Sequence, residues 1–521
     1  MIRLRYAIPG HNMHVGSINT AVNENTVTTE YFDVVIAGAG LSGIGAACHL
    51  QNKCPGKSYV ILEGREAMGG TWDLFRYPGV RSDSDMHTLG YNFKPWLDSK
   101  AIADGPAILK YVRETAAEHD VEPHIRYRHR VVRATWSTDA AAWTVEAYRE
   151  DTGKTDLIRC NLMLVCAGYY RYEQGYTPEF TGRDNFSGDI VHPQHWPEDL
   201  DYRGRKVVVI GSGATAVTLV PEMARDVEHI VMLQRSPTYI FSQPDTDIIA
   251  NVLRKILPQK TAYAITRWKN VTIQQFMYGQ TRKRPDRVKR FLLRRVRKEL
   301  GKDYDVAKHF TPTYNPWDQR LCLVPNSDLF AAIRSGKASV VTDEIETFTR
   351  KGILLKSGQE LEADIIVTAT GLDLLVLGGV EFVVDGQPVD FADTFTYKGV
   401  MSSDVPNMVS TFGYINASWT LRADLIAEFF CRVVNHMDAA GYRQCTPRLR
   451  DQDRDMPKRP WIIGFSSGYI QRVLGRLPKQ GDHAPWTNPQ NYVRDKKMFR
   501  DAPIQDGVLV FSNPVASKKC A

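Results

Sequence analysis

Glycines arranged to bind the phosphates of a dinucleotide occur twice in the sequence. Gly38, Gly40 and Gly43 follow the apolar run DVVIA and precede an alanine-rich segment. The first glycine permits a tight turn, the second lets a pyrophosphate approach the backbone, and the third lets a helix pack closely on a strand. The pattern predicts a strand, a phosphate-binding loop and a helix, with the phosphate at the positive end of the helix.

The residue that follows the next predicted strand indicates which dinucleotide this first site binds. That strand, SYVIL, is followed directly by Glu63. A carboxylate at this position accepts hydrogen bonds from the ribose hydroxyls of an adenosine and repels a 2′-phosphate. The first site is therefore predicted to bind FAD.

The second copy of the pattern ends differently. The segment KVVVIGSGATAVTLVPEM contains Gly211, Gly213 and Ala216, and the following strand leads into Gln234 and Arg235. The acid is replaced by a guanidinium, which is the exchange expected when the ligand carries a 2′-phosphate. The second site is predicted to bind NADPH, and the alternative is that Arg235 is an ordinary surface charge.

Two dinucleotide patterns in one chain predict an α/β fold with two Rossmann-like dinucleotide-binding domains, one for FAD and one for NADPH. Two apolar runs, residues 161–170 and 363–373, each contain a buried-strand pattern that ends in a small residue and a glycine. We interpret them as the crossings from one domain to the other. Ordinary core strands before a turn are the alternative.

These crossings define the expected domain organisation. We expect an FAD-binding domain in two parts, residues 31–172 and residues 372–521, the second of which includes the C-terminal tail. Residues 173–371 are expected to form the NADPH-binding domain, with a helical insertion at about 244–310. Residues 1–30 lack the apolar core of a signal peptide and are expected to be a poorly ordered extension.

The loop between the two glycine patterns, FSGDIVHPQHWP, has the composition of neither a strand nor a helix. His192 and His195 are three residues apart, a spacing that raises the question of a metal site. Zinc needs three or four ligands, and no cysteine or third histidine lies nearby in the sequence, so no metal is predicted. From composition alone, the loop is typical of a linker stiffened by proline.

The same loop resembles a known family. Phe186, Gly188, His192, Trp196 and Pro197 match the fingerprint F-x-G-x-x-x-H-x-x-x-W-P of Baeyer–Villiger monooxygenases, flavin enzymes that insert oxygen beside a ketone carbonyl. Related flavin-containing N- and S-monooxygenases usually have another residue at the position of the tryptophan. The resemblance implies that His192 helps to link the two domains as the NADPH-binding domain shifts.

A second pattern of this family is present as GGTWDLFRYPGVRSD. Its characteristic residues are Gly70, Trp72, Tyr77, Pro78, Gly79 and Asp83. The resemblance extends over nearly the whole chain from about residue 31. It is closest to the ethionamide-activating subgroup of FAD-containing monooxygenases, through MGGTWDLFRYPGVRSDSDMHTLG, VHPQHWPEDLDY and YNPWDQRLCLVPNSDLF.

The resemblance implies an enzyme that uses FAD, NADPH and O2 to convert ketones to esters through a C4a-peroxyflavin. It also implies oxidation of thioethers or thioamides, so the expected partners are a small ketone or sulfur-containing substrate and O2. One alternative is a flavin-containing monooxygenase that acts mainly by S- or N-oxygenation. A more distant alternative is a membrane-associated flavoprotein without catalytic activity.

The resemblance also implies a catalytic arginine. Arg320, in NPWDQRLC, lies where the family places its active-site arginine, and Asp83 is expected near the flavin with a hydrogen bond toward it. A guanidinium keeps its proton, so it stabilises an anionic peroxide and the tetrahedral adduct that follows. Without the family, both residues are typical of structural ion pairs.

The cysteines argue against a related class of flavoenzyme. Disulfide reductases share two dinucleotide folds but need a redox-active cysteine pair beside the flavin. The eight cysteines contain no C-x-x-C or C-x4-C pair, and they are typical of reduced thiols in a cytoplasmic protein. No apolar run reaches the eighteen residues of a membrane-spanning helix, so none is predicted.

Residues 282–302 form the most strongly charged segment, with eleven basic residues against Asp286 and Glu299. Apolar residues recur every fourth position through it, at Val288, Leu292, Val296 and Leu300, which predicts an amphipathic helix. Three interpretations stay open. The helix is a solvated face that packs on its own domain, it attaches the protein to the inner face of an anionic membrane, or it binds nucleic acid, which the absence of a recognisable module disfavours.

Overall fold

The computed structural model describes residues 29–514. The predicted N-terminal extension, residues 1–30, lies almost entirely outside this range. Cys520 lies outside it as well. The other seven cysteines are buried and none forms a disulfide.

The chain from Glu30 to Val165 builds most of a first sheet and the helices beside it. Its strands are β1 (Glu30–Ala37), β2 (Tyr59–Leu62), β3 (Ile125–Arg126), β4 (His129–Ser137), β5 (Ala142–Arg149) and β6 (Lys154–Val165). Its helices are α1 (Leu41–Lys53), α2 (Thr71–Leu74), α3 (Met86–Leu89) and α4 (Gly105–Glu118).

The chain from Asp189 to Thr368 builds a second sheet and the inserted helices. The strands of this stretch, five of which belong to the second sheet, are β7 (Asp189–Val191), β8 (Lys206–Ile210), β9 (His229–Gln234), β10 (Ile240–Gln243), β11 (Cys322–Pro325), β12 (Ala338–Thr342), β13 (Ile345–Phe348), β14 (Gly352–Leu355), β15 (Glu360–Glu362) and β16 (Ile365–Thr368). Its helices are α5 (Ala214–Met223), α6 (Ile248–Ile256), α7 (Gln259–Lys283), α8 (Pro285–Leu300), α9 (Val306–Phe310) and α10 (Asp328–Arg334).

The last part of the chain returns to the first sheet. Its strands are β17 (Glu381–Val384), β18 (Gln387–Pro388), β19 (Thr396–Tyr397), β20 (Met401–Ser402), β21 (Met408–Ser410), β22 (Gln444–Pro447), β23 (Arg459–Pro460), β24 (Lys479–Gln480) and β25 (Leu509–Ser512). Its helices are α11 (Trp419–Ala440), α12 (Gly468–Val473) and α13 (Tyr492–Lys496).

The first sheet has the order β18-β17-β4-β5-β6-β1-β2-β3, and β21 also pairs with β6. Strands β6, β1 and β2 are parallel, and helix α1 connects β1 to β2. The inner residues of β1 are almost fully buried on both faces of the sheet, Val34 and Ile36 in one hydrophobic cluster and Val35 and Ala37 in another. Covered faces on both sides are typical of parallel sheets, which explains why the β1 sequence is apolar without alternation.

The second sheet has the order β12-β9-β8-β16-β7, and all of its pairings are parallel. Helices α5 and α10 pack against each other and contribute to one cluster on this sheet. All of its strands come from a continuous stretch of the chain, inserted between β6 and β17 of the first sheet. The prediction of an α/β fold with two Rossmann-like units and a helical insertion is confirmed, and the residue boundaries of the domains stay a prediction.

The two connections between the sheets are hydrogen-bonded to each other. The backbone N–H of Tyr176 donates to Gly371 at 3.1 Å, and the Thr370 hydroxyl donates to the Tyr176 carbonyl at 2.7 Å. Further along, Arg171 donates to Asp373 from its backbone, at 2.9 Å, and from its guanidinium, at 2.7 Å. The chain therefore leaves the first sheet and returns to it through one paired crossing.

The predicted basic amphipathic helix is α8. Val288, Leu292 and Val296 are buried against the protein, whereas most of its basic side chains are exposed. The apolar stripe of this helix is therefore used by the fold itself. None of the helices within residues 29–514 is long and apolar enough to cross a membrane.

Candidate active site

One groove with a volume of about 1610 Å³ contains residues from both glycine loops. Its walls include Gly38 and Glu63 of the first sheet, Gly213 and Arg235 of the second, and Arg320 from the connection that precedes β11. The groove is larger than the usual pocket for one small ligand. Its size fits two dinucleotides and a substrate.

The first glycine loop has the close backbone contacts that the sequence pattern predicts. Gly38 has a φ of +102°, and a Cβ atom there would lie 2.7 Å from the carbonyl oxygen of Cys166. A Cβ atom on Gly43 would overlap the carbonyl oxygen of Gly38. Gly40 is the N-cap of α1 and its backbone lines the groove. The loop thus presents backbone, rather than side chains, at the start of a helix, which fits a pyrophosphate.

Glu63 lies at the end of β2 and is buried beside this loop. Its carboxylate accepts hydrogen bonds from the backbone N–H of Ala39 at 2.7 Å and of Arg65 at 2.9 Å. Burial raises the pKa of Glu63, although the two backbone hydrogen bonds favour its charged form. The acid therefore holds the glycine loop in place and also lines the groove at the position expected for the ribose of FAD.

The GGTW segment forms a second layer against the glycine loop. A Cβ atom on Gly70 would lie 3.0 Å from the Cα atom of Gly40, so the two backbones are in close contact. Trp72, on α2, lines the groove and packs partly on the core of the first sheet. A side chain at Gly70 would crowd the glycine loop, and both loops present their backbone to the groove.

The YPG turn contacts the second sheet unit. Tyr77 is buried and shares a hydrophobic cluster with α5. A Cβ atom on Gly79 would lie 2.8 Å from the Cβ atom of Glu222, which is also on α5. Pro78 lies between them and is partly exposed. This part of the family pattern therefore mediates a contact between the two halves of the molecule.

The second glycine loop repeats the geometry of the first. Gly211 has a φ of +139°, and a Cβ atom there would overlap the carbonyl oxygen of Ala369. Ala216 is fully buried under the loop on α5. Gly213 is the N-cap of α5, and among the described residues nothing lies within 4 Å of the position of a Cβ atom on it. The open space over Gly213 fits a phosphate group.

Arg235 directly follows β9 and its side chain is exposed at the groove. It forms no ion pair with a carboxylate in the part of the chain that the structure describes. An unpaired guanidinium beside a phosphate-binding loop fits the 2′-phosphate of NADPH.

Arg320 and Asp83 come from distant parts of the sequence and meet in the groove. The Arg320 Nη2 atom lies 3.5 Å from Asp83 Oδ2, and Nη1 donates to the carbonyl oxygen of Ile415 at 2.9 Å. Burial disfavours the charge of Arg320, but the negative charge of Asp83 opposes this effect, and the pKa of Arg320 lies above the ordinary value. Arg320 is therefore a permanent cation, about one third exposed to the groove.

Aromatic side chains that the sequence patterns did not identify surround this cation. The hydroxyls of Tyr169 and Tyr170 are 2.7 Å apart, and the Trp419 ring stacks on Tyr169 with ring centroids 5.1 Å apart. Tyr469 also lines the groove. The two adjacent tyrosines follow Gly168 at the predicted crossing. Their position after a parallel strand was the sequence signal that could have identified them as site residues.

Most of the fingerprint loop lies at the crossing, outside the groove. A Cβ atom on Gly188 would overlap the carbonyl oxygen of Asp364, beside β16. Phe186 packs on one cluster of the second sheet and Trp196, which precedes Pro197, packs on another. Among the described residues that line the groove, none is Phe186, Gly188, Trp196 or Pro197.

The two histidines of this loop point to different surroundings. His195 lines the groove, whereas the ring of His192 lies directly against the backbone of Gly175 in the first crossing. Burial lowers the pKa of His192, so its ring is neutral at pH 7. Within residues 29–514 no group of three or more side chains could hold a metal ion.

Gln194, between these histidines, makes contacts with the crossing that the sequence did not reveal. Its side-chain amide is buried and donates to the carbonyl oxygens of Arg171, at 2.7 Å, and Tyr172, at 3.1 Å. The backbone N–H of Gln194 donates to His192 Nδ1 at 3.2 Å. Glutamine is common in loops, so only the coordinates reveal that this one holds the crossing.

Comparison with known proteins places the chain among flavin-dependent enzymes. The family model "Flavin-binding monooxygenase-like" matches residues 98–376, and the model "NAD(P)-binding Rossmann-like domain" matches residues 36–98. The chain is 54% identical to the FAD-containing monooxygenase EthA of Mycobacterium tuberculosis (strain CDC 1551 / Oshkosh), over 93% of this chain and 98% of that protein. It is 52% identical to the FAD-containing monooxygenase EthA of Mycolicibacterium smegmatis, over 93% and 98% respectively.

A solved structure agrees with the architecture. The structure titled "Oxidized steroid monooxygenase bound to NADP" superimposes with a TM-score of 0.68 at 25% sequence identity. The match covers 80% of this chain and 87% of that chain. The similarity therefore includes both sheets and not only one of them.

Replacing Arg235 with Ala is expected to remove most of a preference for NADPH over NADH. A charge-assisted hydrogen bond to a phosphate contributes about 1.5–3 kcal/mol, so the ratio of kcat/KM values for the two nucleotides should fall by at least about tenfold. Steady-state nucleotide oxidation measures the ratio. Arg203→Ala, which changes an exposed arginine outside the groove, is the matched control. A change of less than about threefold in Arg235→Ala would contradict the assignment.

Replacing Gln194 with Leu is expected to destabilise the crossing. Two carbonyl groups lose their donor, which typically costs about 1–3 kcal/mol when the groups are buried. Urea unfolding followed by tryptophan fluorescence should show a lower midpoint. The control Gln387→Leu changes an exposed glutamine of β18 and should shift the unfolding free energy by less than about 0.5 kcal/mol. Equal midpoints for both variants would show that Gln194 does not hold the crossing.

Proposed function

The chain belongs to the flavin-binding monooxygenase-like family, and from this premise we propose that it is a Baeyer–Villiger monooxygenase acting on ketones. It is an FAD-containing monooxygenase that uses NADPH and O2. In the proposed reaction, one oxygen atom of O2 is inserted between the carbonyl carbon of a ketone and a neighbouring carbon, which gives an ester. The other oxygen atom leaves as water, and NADPH with one proton supplies the two electrons. The same enzyme is proposed to oxidise thioethers or thioamides.

FAD, when bound, accepts hydride from NADPH and activates O2 for transfer to the substrate. The residues proposed to hold it are Gly38, Gly40, Gly43, Glu63, Gly70, Trp72 and Asp83. The residues proposed to hold NADPH are Gly211, Gly213, Ala216 and Arg235. The chain itself supplies backbone donors at two helix starts, an acid and a cation that select the nucleotides, and the walls of the groove.

The observation that carries the proposal is the Arg320 cation in the groove that both glycine loops line. Attack on a ketone carbonyl builds negative charge on the carbonyl oxygen, and a fixed guanidinium stabilises that charge. Oxidation of a sulfur atom builds no equivalent charge at a carbonyl. A permanent cation at this position therefore favours ketones over sulfur compounds as the principal substrates.

Asp83 and Ile415 position this cation. The Ile415 carbonyl accepts from Nη1 at 2.9 Å, and Asp83 lies beside Nη2 at 3.5 Å. The longer distance to Asp83 leaves the guanidinium only loosely paired, so it keeps donors for a substrate oxygen. Asp83 is proposed to adjust the position of Arg320 rather than to transfer a proton.

The aromatic residues near Arg320 are proposed to exclude water from the reaction. Tyr169 and Tyr170 are partly buried, and burial raises the pKa of both hydroxyls, so both stay protonated and neutral. Trp419 stacks on Tyr169 and is held by a hydrogen bond from its indole N–H to the Ser42 hydroxyl, at 2.7 Å. Neutral, fixed rings lower the local dielectric constant and so strengthen the effect of the Arg320 charge.

The proposed reaction is tested by product analysis with purified flavoprotein, NADPH and isotopically labelled O2. A panel of linear and aryl ketones and of thioethers should give esters that contain one labelled oxygen, together with sulfoxides. Sulfoxides without any ester would overturn the assignment to ketones and favour an S-oxygenating enzyme. Oxidation of NADPH that yields only hydrogen peroxide with every ketone would also overturn it.

Replacing Arg320 with Ala is expected to lower ester formation by about 10²- to 10³-fold, the usual contribution of one charge-stabilising donor in a dry site. Reduction of bound FAD by NADPH should change by less than about threefold, because hydride transfer builds no oxyanion that needs this cation. Rapid-mixing absorbance and ester yield measure the two steps separately.

Two further variants sharpen this test. Arg320→Lys should restore little activity, because an ammonium group cannot bind Asp83 and a substrate oxygen with the fixed fork of a guanidinium. Arg282→Ala is the matched control, since Arg282 pairs with Asp318 at 2.8 Å but lies outside the groove. Normal ester yield in Arg320→Ala would exclude Arg320 from the reaction.

A further inference from the structure

The helices inserted after β10 carry apolar side chains on their outer face. Nine of the fifteen exposed large apolar side chains in the described part of the chain lie between Ile248 and Met277. On α6, Ile248, Val252 and Ile256 recur every fourth residue and are 71%, 51% and 68% exposed. The apolar stripe of α6 thus faces solvent, the reverse of what a helix on the surface of a globular protein normally shows.

The neighbouring helix extends this apolar surface. On α7, Ile265 and Trp268 are one turn apart, and Trp268 is 70% exposed. Helix α6 lies beside α7, because Lys269 of α7 binds Asp247 at 2.7 Å and Asp247 caps the start of α6. We call the surface formed by Leu97, Ile248, Val252, Ile256, Ile265 and Trp268 the α6–α7 apolar face.

Leu97 joins this face through a loop of the first sheet unit. The Arg254 guanidinium of α6 donates to the carbonyl oxygens of Leu97 and of Asp98, the latter at 2.8 Å. Leu97 is more than half exposed. Two separate segments of the chain therefore contribute to one exposed apolar surface, which exceeds the scattered single residues of an ordinary surface.

Positive charge surrounds the α6–α7 apolar face. Residues 248–285 contain eight basic residues and no acidic residue. Lys255 and Lys260 lie at the turn between α6 and α7 and are exposed. Two acids flank this segment, Asp247, which Lys269 neutralises, and Asp286, which is exposed. Asp98 is exposed beside Leu97.

We propose that the α6–α7 apolar face is where the protein lies on the surface of an anionic lipid bilayer. Apolar side chains enter the boundary between headgroups and acyl chains, and exposed lysines bind the anionic headgroups. A tryptophan such as Trp268 is typical of this interfacial depth. Membrane attachment was one of three interpretations of the basic helix α8, but α8 buries its apolar stripe in the protein, so it would contribute charge only.

Charge argues for lipid rather than for a second copy of the chain. In a twofold dimer the same patch of both subunits comes together. Such an interface would bring the basic residues of 248–285 close to their own counterparts, with no acidic residue in that segment to compensate. Like charges across an interface cost free energy, whereas an anionic bilayer neutralises them.

The test uses full-length flavoprotein and flotation with lipid vesicles. The protein should float with vesicles of phosphatidylcholine that contain about 30% phosphatidylglycerol, and less with phosphatidylcholine alone. Salt at about 0.5 M should weaken binding without abolishing it, because the apolar contribution is not screened. Absence of binding by the wild-type protein to either vesicle would overturn the proposal.

The variant Ile248→Ser/Val252→Ser/Ile256→Ser/Trp268→Ser removes the centre of the face. Its partition coefficient should fall by at least about tenfold, which corresponds to about 1.4 kcal/mol. The matched control Ile463→Ser/Val493→Ser/Val510→Ser changes exposed apolar residues elsewhere and should bind like the wild-type protein. Unchanged FAD content and NADPH oxidation in both variants establish that they are folded.

Two further results separate the possible sources of binding. Replacing Arg290, Arg294, Arg297 and Lys298 of α8 with Gln should lower only the salt-sensitive part of binding, and a complete loss of binding would assign the contact to α8 instead. Sedimentation velocity tests whether a second copy of the chain, rather than lipid, covers the face. A wild-type dimer that the four-serine variant abolishes, without vesicle binding by the wild-type protein, would assign the face to a second copy of the chain.

Discussion

The paired crossing between the two sheets is the constraint on which the rest of the structure depends. Each glycine loop is a local structure, but a groove lined by both loops exists only while the two sheets face each other. The hydrogen bonds between Tyr176 and Gly371, and between Arg171 and Asp373, fix that arrangement where the chain passes twice. Gln194 ties the fingerprint loop to the same crossing. Residues at the crossing, of which Tyr176 and Gly371 line the groove, therefore determine its shape.

Within that groove, the Arg320 cation and the two residues that contact it come from parts of the chain that are far apart in sequence. Asp83 follows the GGTW segment, Arg320 precedes β11, and Ile415 follows β21. Each comes from a different segment, so the guanidinium is positioned only when all three have folded. The surrounding aromatic rings are fixed by stacking and by one hydrogen bond to Ser42.

Residue spacing predicted the local parts of this structure and not the tertiary ones, and the contact of Asp83 with Arg320 was expected only from the family resemblance. The glycine loops, Glu63 and Arg235 follow from rules that link a strand, a turn and a helix. The hydrogen bonds of Gln194 depend on tertiary contacts that no spacing encodes, and Tyr169 and Tyr170 could be placed only at a strand end. Periodicity has a similar limit. The apolar stripes of α6 and α8 look alike in sequence, yet the first faces solvent and the second is buried, because periodicity defines a face but not its neighbour.

The order of the strands also affects how the chain folds during synthesis. The second sheet is built from one continuous stretch, so it can form as soon as β16 has left the ribosome. The first sheet cannot be completed then, since β17 and β21 still have to pair with β4 and β6. Two open strand edges persist throughout translation of the inserted unit. Unpaired edges are sites of aggregation, so the nascent chain carries this risk until β17 and β21 have paired.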